Sequence, residues 1–287
     1  MSSEPNARQL PGHIAQLLAR QHRSADGRPA DSAGIPWDGR DLSAEGNPLH
    51  TRPTDDGHTA PVVAAARKKL LAGEIDEASF VNVLRGQRLF AAVLATGSGD
   101  IATGDKEADI SLITLEAGDG RTAMPVFTSV EALTAWHPQG RPVAAETERV
   151  MLAALAEGAE LAVLDPGAEL TFVLRRPAVE QLAQGEPWLP SYADEQLAAA
   201  LEEIVAACPG VTGLRLSPAL GIATATATGQ RVLGGGQGPE LSIGVVTAEG
   251  LDAVDRRLAL ASVKTEAAAS EALRRRADSV EIVLAES

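Results

Sequence analysis

The chain has few of the side chains from which metal, redox and nucleophilic sites are built. Its 287 residues include one cysteine, Cys208, and five histidines without metal-ligand spacing. One cysteine excludes an internal disulfide, and its place at the end of an apolar helical run predicts a buried core residue. The sequence contains no common metalloprotease, thiol-redox or serine-nucleophile string. We therefore predict that the protein uses no metal and no other cofactor.

Long apolar runs are also missing. No apolar stretch approaches the ~18 residues that a membrane-spanning helix needs, so we expect no membrane partner. No charged segment followed by an apolar one opens the chain, which argues against a signal peptide. Together with the single cysteine, this predicts a cytoplasmic protein. Aromatic residues make up 3% of the chain and apolar residues 45%, so we expect cores of Ala, Val, Leu and Ile.

Basic residues are outnumbered by acidic ones, and the net charge is −14. Because nucleic-acid binding depends on Lys and Arg contacts with phosphates, this balance predicts no nucleic-acid partner. The one basic triplet, Arg274-Arg275-Arg276, is expected at a helix C-terminus, where cations oppose the negative end of the helix dipole.

Composition divides the chain into three parts. Residues 1–60 are rich in Pro, Gly, Asp, Arg and Ser and predict a disordered tail, because they bury too little surface to offset chain entropy. Ile14, Leu17 and Leu18 could mark one short helix within this tail. The tail is then either a docking arm that folds on binding or an extension without a function.

The remaining chain predicts an α+β fold of two small sandwich-like domains, each a mixed sheet with helices packed on it. Residues 61–190 alternate short helices and strands, and residues 194–287 begin a second domain after a Pro-rich linker. Trp188, in that linker, is a possible interdomain anchor. In the second domain we expect four strands covered by two helices, with a strand at Leu220–Thr228, a loop at Gly234–Gly238 and a helix from the Thr247 cap through Arg276.

The segment Asp105–Trp136 carries the clearest local pattern. Apolar residues from Ile110 to Leu115 predict a strand, and Gly118-Asp119-Gly120 predicts a chain reversal. A second strand is expected at Ala123–Phe127. Thr128 and Glu131 then fit a capping box that begins a helix. Leu133 and Trp136 lie three residues apart on that helix, which favours a core position for both.

These residues resemble the N-terminal domain of the SseB family, in the form found in high-GC Gram-positive bacteria. The likeness covers about residues 61–190. It implies a small α+β domain in a cytoplasmic bacterial protein, and it implies no established reaction and no set of catalytic residues. The matching strings are DKEADISLITL at 105–115, MPVFTSVEALTAW at 124–136, RPV at 141–143, AEGAELAVLDPG at 156–167 and TFVLRRPAVEQLAQGEPW at 171–188.

Two glycine-rich strings do not fit a nucleotide site. Gly97–Ala102 matches G-x-G-x-x-A after a strand, but a strand follows it instead of the helix that a pyrophosphate site requires. Gly234–Gly238 could bind an anion with its backbone amides, yet no helix follows and the run contains no basic residue. A loop is the better interpretation of both.

One group of acidic residues has a spacing that could support catalysis or metal binding. Asp105, Glu107 and Asp109 alternate, so on a strand they would share one face at a spacing of about 6.8 Å. Such carboxylates could bind a metal or act as acid and base. Together with Lys106 they could instead form a partner-binding edge, or keep the exposed start of a strand soluble.

We therefore expect a cytoplasmic binding or regulatory module whose partner is another protein. The leading surface is the patch of Asp105, Lys106, Glu107 and Asp109 with the neighbouring residues 97–104. The alternatives are a carboxylate-dependent enzyme or metal-binding protein that uses Asp105, Glu107 and Asp109, and a protein that binds a small ligand between its two domains near Trp188.

Overall fold

The computed structural model describes residues 56–97 and 108–285, and at 95–97 and 108–110 it describes the backbone alone. Nearly all of the predicted tail, with Ile14, Leu17 and Leu18, lies outside this range. Residues Thr59–Ser287 form one compact unit of helices and mixed sheets, which confirms the α+β class. No helix of the described residues is long and apolar enough to cross a membrane.

The first part of this unit alternates helices with short strands. Its elements are α1 (Pro61–Leu71), α2 (Glu77–Val83), β1 (Arg88–Gly97), β2 (Ala108–Leu112), β3 (Leu115–Glu116), β4 (Thr122–Phe127), α3 (Val130–Trp136), β5 (Arg141–Glu146), α4 (Thr147–Ala156), β6 (Leu161–Leu164), β7 (Phe172–Arg175) and α5 (Arg176–Ala183).

These strands form one sheet in the order β2-β1-β4-β6-β7, with β3 paired to β4 and β5 paired to β1. The pair β4–β6 is parallel and the other pairs are antiparallel. Helix α4 returns the chain to the parallel strand. Its apolar side, with Met151 and Leu155, is buried, and so are Phe80 of α2 and Phe172 of β7. The two phenyl rings meet edge to face at 4.9 Å.

Two details of the predicted hairpin region differ from the structure. The expected continuous strand over 110–115 is divided into β2, which pairs with β1, and β3, which pairs with β4. The N-cap of α3 is Ser129, whose hydroxyl accepts from the Ala132 N–H at 3.1 Å. Thr128 does not cap the helix, because its side chain bonds to the buried Asp165 instead.

The second part contains a smaller sheet. Its elements are a 3₁₀ turn (Ser191–Ala193), α6 (Glu195–Ala207), β8 (Val211–Pro218), a 3₁₀ turn (Leu220–Ile222), β9 (Ala223–Ala225), β10 (Arg231–Gly235), β11 (Leu241–Thr247), α7 (Ala253–Ala269), α8 (Glu271–Arg276) and β12 (Val280–Leu284).

Strands β12, β11 and β8 form a three-stranded sheet in that order, and β9 pairs with β10 in a separate ladder. Helices α6 and α7 cover one face of the three-stranded sheet, with Leu201, Ile243 and Val263 buried between them. The expectation of a four-stranded sheet was therefore wrong. The Ala and Thr residues of Leu220–Thr228 offer little apolar surface to either face, and only Ala223–Ala225 pairs as a strand.

The expected long helix from Thr247 to Arg276 was also wrong in its bounds. Thr247 ends β11, and the N-cap is Asp252, whose carboxylate accepts from the Val254 and Asp255 N–H groups at 2.7 and 2.9 Å. The helical run is interrupted at Ser270, which is the N-cap of α8. Arg274–Arg276 occupy the last turn of α8, as the sequence predicts.

The Pro-rich linker and strand β10 both contact the first part of the compact unit. Asn82 of α2 binds the backbone of Trp188 in both directions, donating to its carbonyl at 2.9 Å and accepting from its N–H at 2.8 Å. The Trp188 side chain is buried. The boundaries drawn at 190 and 194, and the interdomain role of Trp188, stay predictions.

The start of α7 can be tested with the substitution Asp252→Ala, which removes the cap acceptor. We expect a lower free energy of unfolding, seen as a lower midpoint in urea denaturation. Asp252→Asn is the matched control and should retain most of the stability, because Asn caps helices about as well as Asp. Equal stability of wild type and Asp252→Ala would place the helix start elsewhere.

Candidate functional site

Two polar clusters lie inside the compact unit, and the first follows the ends of the parallel strands. Strands β4 and β6 end side by side, and the next residues are Thr128 and Asp165. Open α/β sheets commonly bind ligands at this edge of a parallel pair. Asp165 is 2% exposed and has a φ of 48°, in the left-handed region that is uncommon for residues other than glycine and that aspartate adopts more readily than most.

Hydrogen bonds to Thr128 hold Asp165 in this conformation. Its carboxylate accepts from the Thr128 N–H at 2.8 Å and from the Thr128 hydroxyl at 2.7 Å, and it lies 3.3 Å from a guanidinium nitrogen of Arg67. The Thr59 hydroxyl is 2.9 Å from that of Thr128. Burial raises the pKa of Asp165, and the hydrogen bonds from Thr128 partly oppose that rise.

Arg88 completes this group, which we call the strand-end cluster: Thr59, Arg67, Arg88, Thr128 and Asp165. The buried Arg88 donates to the Thr128 carbonyl at 3.0 Å, and its guanidinium lies 4.0 Å from the centroid of the Phe90 ring. Each oxygen of the Asp165 carboxylate already accepts a hydrogen bond within the cluster. The strand-end cluster therefore joins α1 and β1 to the ends of β4 and β6.

The second group, the buried junction, consists of Glu77, Arg175, Ser191, Tyr192 and Glu240. Its centre is Arg175 at the end of β7, which is 3% exposed. One terminal nitrogen of Arg175 donates to the backbone carbonyls of Gly236 and Gly238, the latter at 3.2 Å. The other lies 3.9 Å from the Glu240 carboxylate. The guanidinium thus joins the first part of the unit to the chain between β10 and β11.

Glu77, in the first turn of α2, faces the same region. It is 4% exposed, and one carboxylate oxygen accepts from the Gly235 N–H at 3.1 Å. Its other oxygen has no hydrogen-bond partner among the described residues. Burial raises the pKa of Glu77 to about 7, and Arg175 opposes the rise.

The pKa values of Glu240 and Tyr192, the other acidic groups of the buried junction, are also raised. Burial raises the pKa of Glu240, whose carboxylate accepts from the N–H groups of Ser191 and Asp278 at 3.4 Å each. Burial, with the negative charge of Glu77 as the next cause, raises the pKa of Tyr192 to about 12. One guanidinium thus faces two buried carboxyl groups. The single positive charge of Arg175 balances one ionised carboxylate, so ionisation of both carboxyl groups at once is unfavourable.

Glycine is required where β10 approaches this junction. Gly235 has a φ of 68°, and a Cβ there would lie 2.4 Å from the Phe172 ring. A Cβ at Gly234, whose φ is 104°, would lie 2.8 Å from the Cβ of Glu77. The interpretation of Gly234–Gly238 as a loop was therefore wrong for its first two residues, which belong to β10 and are buried.

The predicted carboxylate patch is separate from both clusters in sequence. Asp105, Lys106 and Glu107 lie outside the described residues. The backbone of Asp109 lies in β2 and pairs with Thr96 of β1. The shared strand face of these carboxylates thus stays a prediction. Among the described residues, no three His, Cys, Asp or Glu side chains could together hold a metal ion.

Other residues singled out in the sequence have structural positions. Cys208 is a free, buried cysteine whose pKa is raised by burial. Trp136 is partly buried, and its ring lies 5.5 Å from that of Phe127. Arg276 forms an ion pair with Asp194, the N-cap of α6. The cysteine and the tryptophan thus contribute to the cores, as expected.

Residues 63–181 match the family model described as the SseB protein N-terminal domain. This segment is an SseB N-terminal domain. The match confirms the family predicted from the sequence, and it includes Arg67, Glu77, Thr128, Asp165 and Arg175. No curated protein matches the chain. The other members of the buried junction, Ser191, Tyr192 and Glu240, lie beyond the matched residues.

The importance of the charge at Arg175 can be measured with Arg175→Met. We expect a loss of about 3–5 kcal/mol in the free energy of unfolding, because the substitution leaves the Glu240 carboxylate buried without a counter-charge. Arg176→Met is the matched control, since the ion pair of Arg176 with Glu180 at 2.7 Å joins neighbouring turns of one helix. It should cost no more than about 1 kcal/mol. Equal losses would refute a special role for Arg175.

The strand-end cluster predicts a second difference in stability. Asp165→Ala removes the acceptor of two buried Thr128 donors and keeps a left-handed backbone, so we expect a loss of about 3 kcal/mol or more. Asp119→Ala removes a more exposed partner of Arg121 and should cost less than about 1 kcal/mol. Thermal and urea denaturation of both variants measure the difference. A loss below 1 kcal/mol for Asp165→Ala would contradict the assignment.

Proposed function

We propose that this SseB-family protein is a cytoplasmic binding or regulatory module whose partner is another protein. The net charge of −14 supports a partner other than a nucleic acid, because phosphates repel an acidic surface. Burial of the titratable clusters supports recognition over chemistry. Glu77, Asp165 and Glu240 are each at most 4% exposed, and a substrate reaches such groups only after the surrounding chain moves.

The observation that carries the proposal is an apolar pair on the outer side of α7. The inner side of this helix buries small residues, Ala259, Val263 and Ala267. Leu260 also packs against this core, whereas Val254 and Leu258 are 59% and 61% exposed. A helix usually turns its apolar side chains toward the core, so an exposed apolar pair on the opposite side is available for a partner.

Geometry favours a protein partner for this pair. Val254 and Leu258 are four residues apart, so they lie one above the other on one helix face. The residues between them, Asp255, Arg256 and Arg257, are exposed and give the apolar pair a polar surround. Apolar anchors at this spacing are a common way in which one helix enters a groove of a partner protein.

The patch of Asp105, Lys106, Glu107 and Asp109, with residues 97–104, is proposed as a second contact surface. Its support is the sequence alone, since it falls in the family-like string between β1 and β2. The alternatives of a carboxylate-dependent enzyme or a metal site rest on the same three carboxylates, and the alternative of an interdomain ligand rests on Trp188. No contact of the described residues adds support to these alternatives.

Affinity capture with purified variants tests the proposal. We expect wild-type protein to retain a specific protein from the cytoplasm of the source cell, and Val254→Ser plus Leu258→Ser to retain at least tenfold less. The exposed positions should make this variant as stable as wild type by thermal denaturation. Asp105→Ala plus Glu107→Ala measures the contribution of the carboxylate patch in the same assay.

Val62→Ser plus Leu189→Ser is the matched control, because it also removes one Val and one Leu, at positions that are 48% and 62% exposed. This control should retain the partner. Equal retention by the α7 variant and the control, or no specific retention by wild type, would contradict a partner site on α7.

A further inference from the structure

The contact between β10 and the SseB N-terminal domain depends on a few polar bonds and one close approach. Gly235 donates to Glu77, and Arg175 donates to the carbonyls of Gly236 and Gly238. The Phe172 ring lies directly against the Cα of Gly235. Each of these hydrogen bonds involves the side chain of Glu77 or Arg175, so the net charge of those two side chains affects the whole contact.

We propose that the buried junction is a proton-operated clasp, which holds β10 and Gly234–Gly238 against α2 and β7 while Glu77 is protonated and loosens when Glu77 is ionised. The proposal concerns regulation of the fold and does not depend on the partner site on α7. It rests first on the geometry of one guanidinium between two buried carboxyl groups.

The charges of the closed clasp differ between the two states. With Glu77 protonated, the positive Arg175 and the negative Glu240 balance each other. With Glu77 ionised, the buried group carries one net negative charge. Burial of an uncompensated charge is unfavourable, so ionisation favours an arrangement in which Glu77 meets water.

The surrounding charges do not remove this imbalance. Asp76 caps α2 next to Glu77 and adds negative charge, and Tyr192, whose pKa is about 12, is neutral in this pH range. Beyond Glu240, Asp278 is negative and is paired with Arg121 at 2.7 Å. Arg175 is therefore the one cation among the groups that act on Glu77 in the described part of the chain.

The direction of the pH effect follows from linkage. The pKa of Glu77 is about 7 in the closed clasp, whereas that of an exposed glutamate is 4.5. Between these values the open form releases its proton while the closed form keeps it. Opening is therefore increasingly favoured as the pH rises from about 4.5 to about 7, and the effect levels off above about 7.

Other contacts limit how far the chain moves. The Ala227 N–H donates to the Glu169 carbonyl at 2.7 Å, and the Gln230 side chain donates to the Leu71 carbonyl at 2.6 Å. These two hydrogen bonds hold the turn between β9 and β10, and neither of them involves an ionisable group. We therefore expect a local opening at residues 232–240, with Val232 and Gly235 exposed, and not the separation of whole domains.

Hydrogen–deuterium exchange of the full chain at pH 5.0, 6.0, 7.0 and 8.0 tests the clasp, with each rate corrected for the intrinsic pH dependence of amide exchange. We expect protection at residues 232–240 to fall at least tenfold between pH 5.0 and 7.0 and to change little from 7.0 to 8.0. Protection in α4, which does not contact the clasp residues, should stay constant.

Two variants separate the clasp from general pH effects. Glu77→Gln keeps a neutral side chain at every pH, and its protection at 232–240 should vary less than twofold. Glu240→Gln leaves Arg175 to Glu77 alone and lowers the pKa of Glu77 in the closed clasp, so the fall in protection should be smaller and should level off at a lower pH. If Glu77→Gln does not fold, the pH dependence of protection in the wild type and in Glu240→Gln still tests the clasp.

A wild-type profile without a pH dependence at 232–240 would overturn the clasp, as would a Glu77→Gln profile that keeps the wild-type dependence. Either result leaves the partner site on α7 unaffected. Conversely, a failed capture by α7 with an intact pH profile rejects the partner site alone.

Discussion

One buried guanidinium, that of Arg175, governs how the parts of this compact unit meet. It lies between the Glu240 carboxylate and the carbonyls of Gly236 and Gly238, and Glu77 faces the same region from α2. Charges inside a protein are stable only when paired, so the placement of each of these residues depends on the others. The glycines follow from the same constraint, because a side chain at Gly235 would collide with Phe172.

The SseB N-terminal domain thus meets the following chain through polar and close backbone contacts. The matched family segment supplies Glu77 and Arg175, and the chain beyond it supplies Glu240 and the glycines. The strand-end cluster around Asp165 lies wholly in residues 59–165 and stabilises the first part of the unit by itself. Val254 and Leu258 of α7, the proposed partner site, are exposed and belong to neither cluster.

Local patterns in the sequence predict much of this fold. The strand predicted at Ala123–Phe127 is β4 to within one residue, because its run of apolar residues is a local signal. The prediction of a strand at Leu220–Thr228 was wrong for most of the segment. Alternating Ala and Thr residues have the period of a strand, but they bury too little apolar surface to stabilise one. Thr128 and Ser129 are both good helix caps, and only the distant Asp165 decides between them. Glu77, Arg175 and Glu240 meet across long stretches of chain, which a single sequence does not reveal.

The central claim is that burial raises the pKa of Glu77 to about 7, although Arg175 opposes that rise. Carbon-detected NMR of the glutamate side-chain carboxyl groups, titrated from pH 3 to 9 and assigned with Glu77→Gln, measures this directly. The account predicts a Glu77 carboxyl resonance that titrates with a pKa of about 7. A midpoint near 4.5, the value of an exposed glutamate, would contradict it.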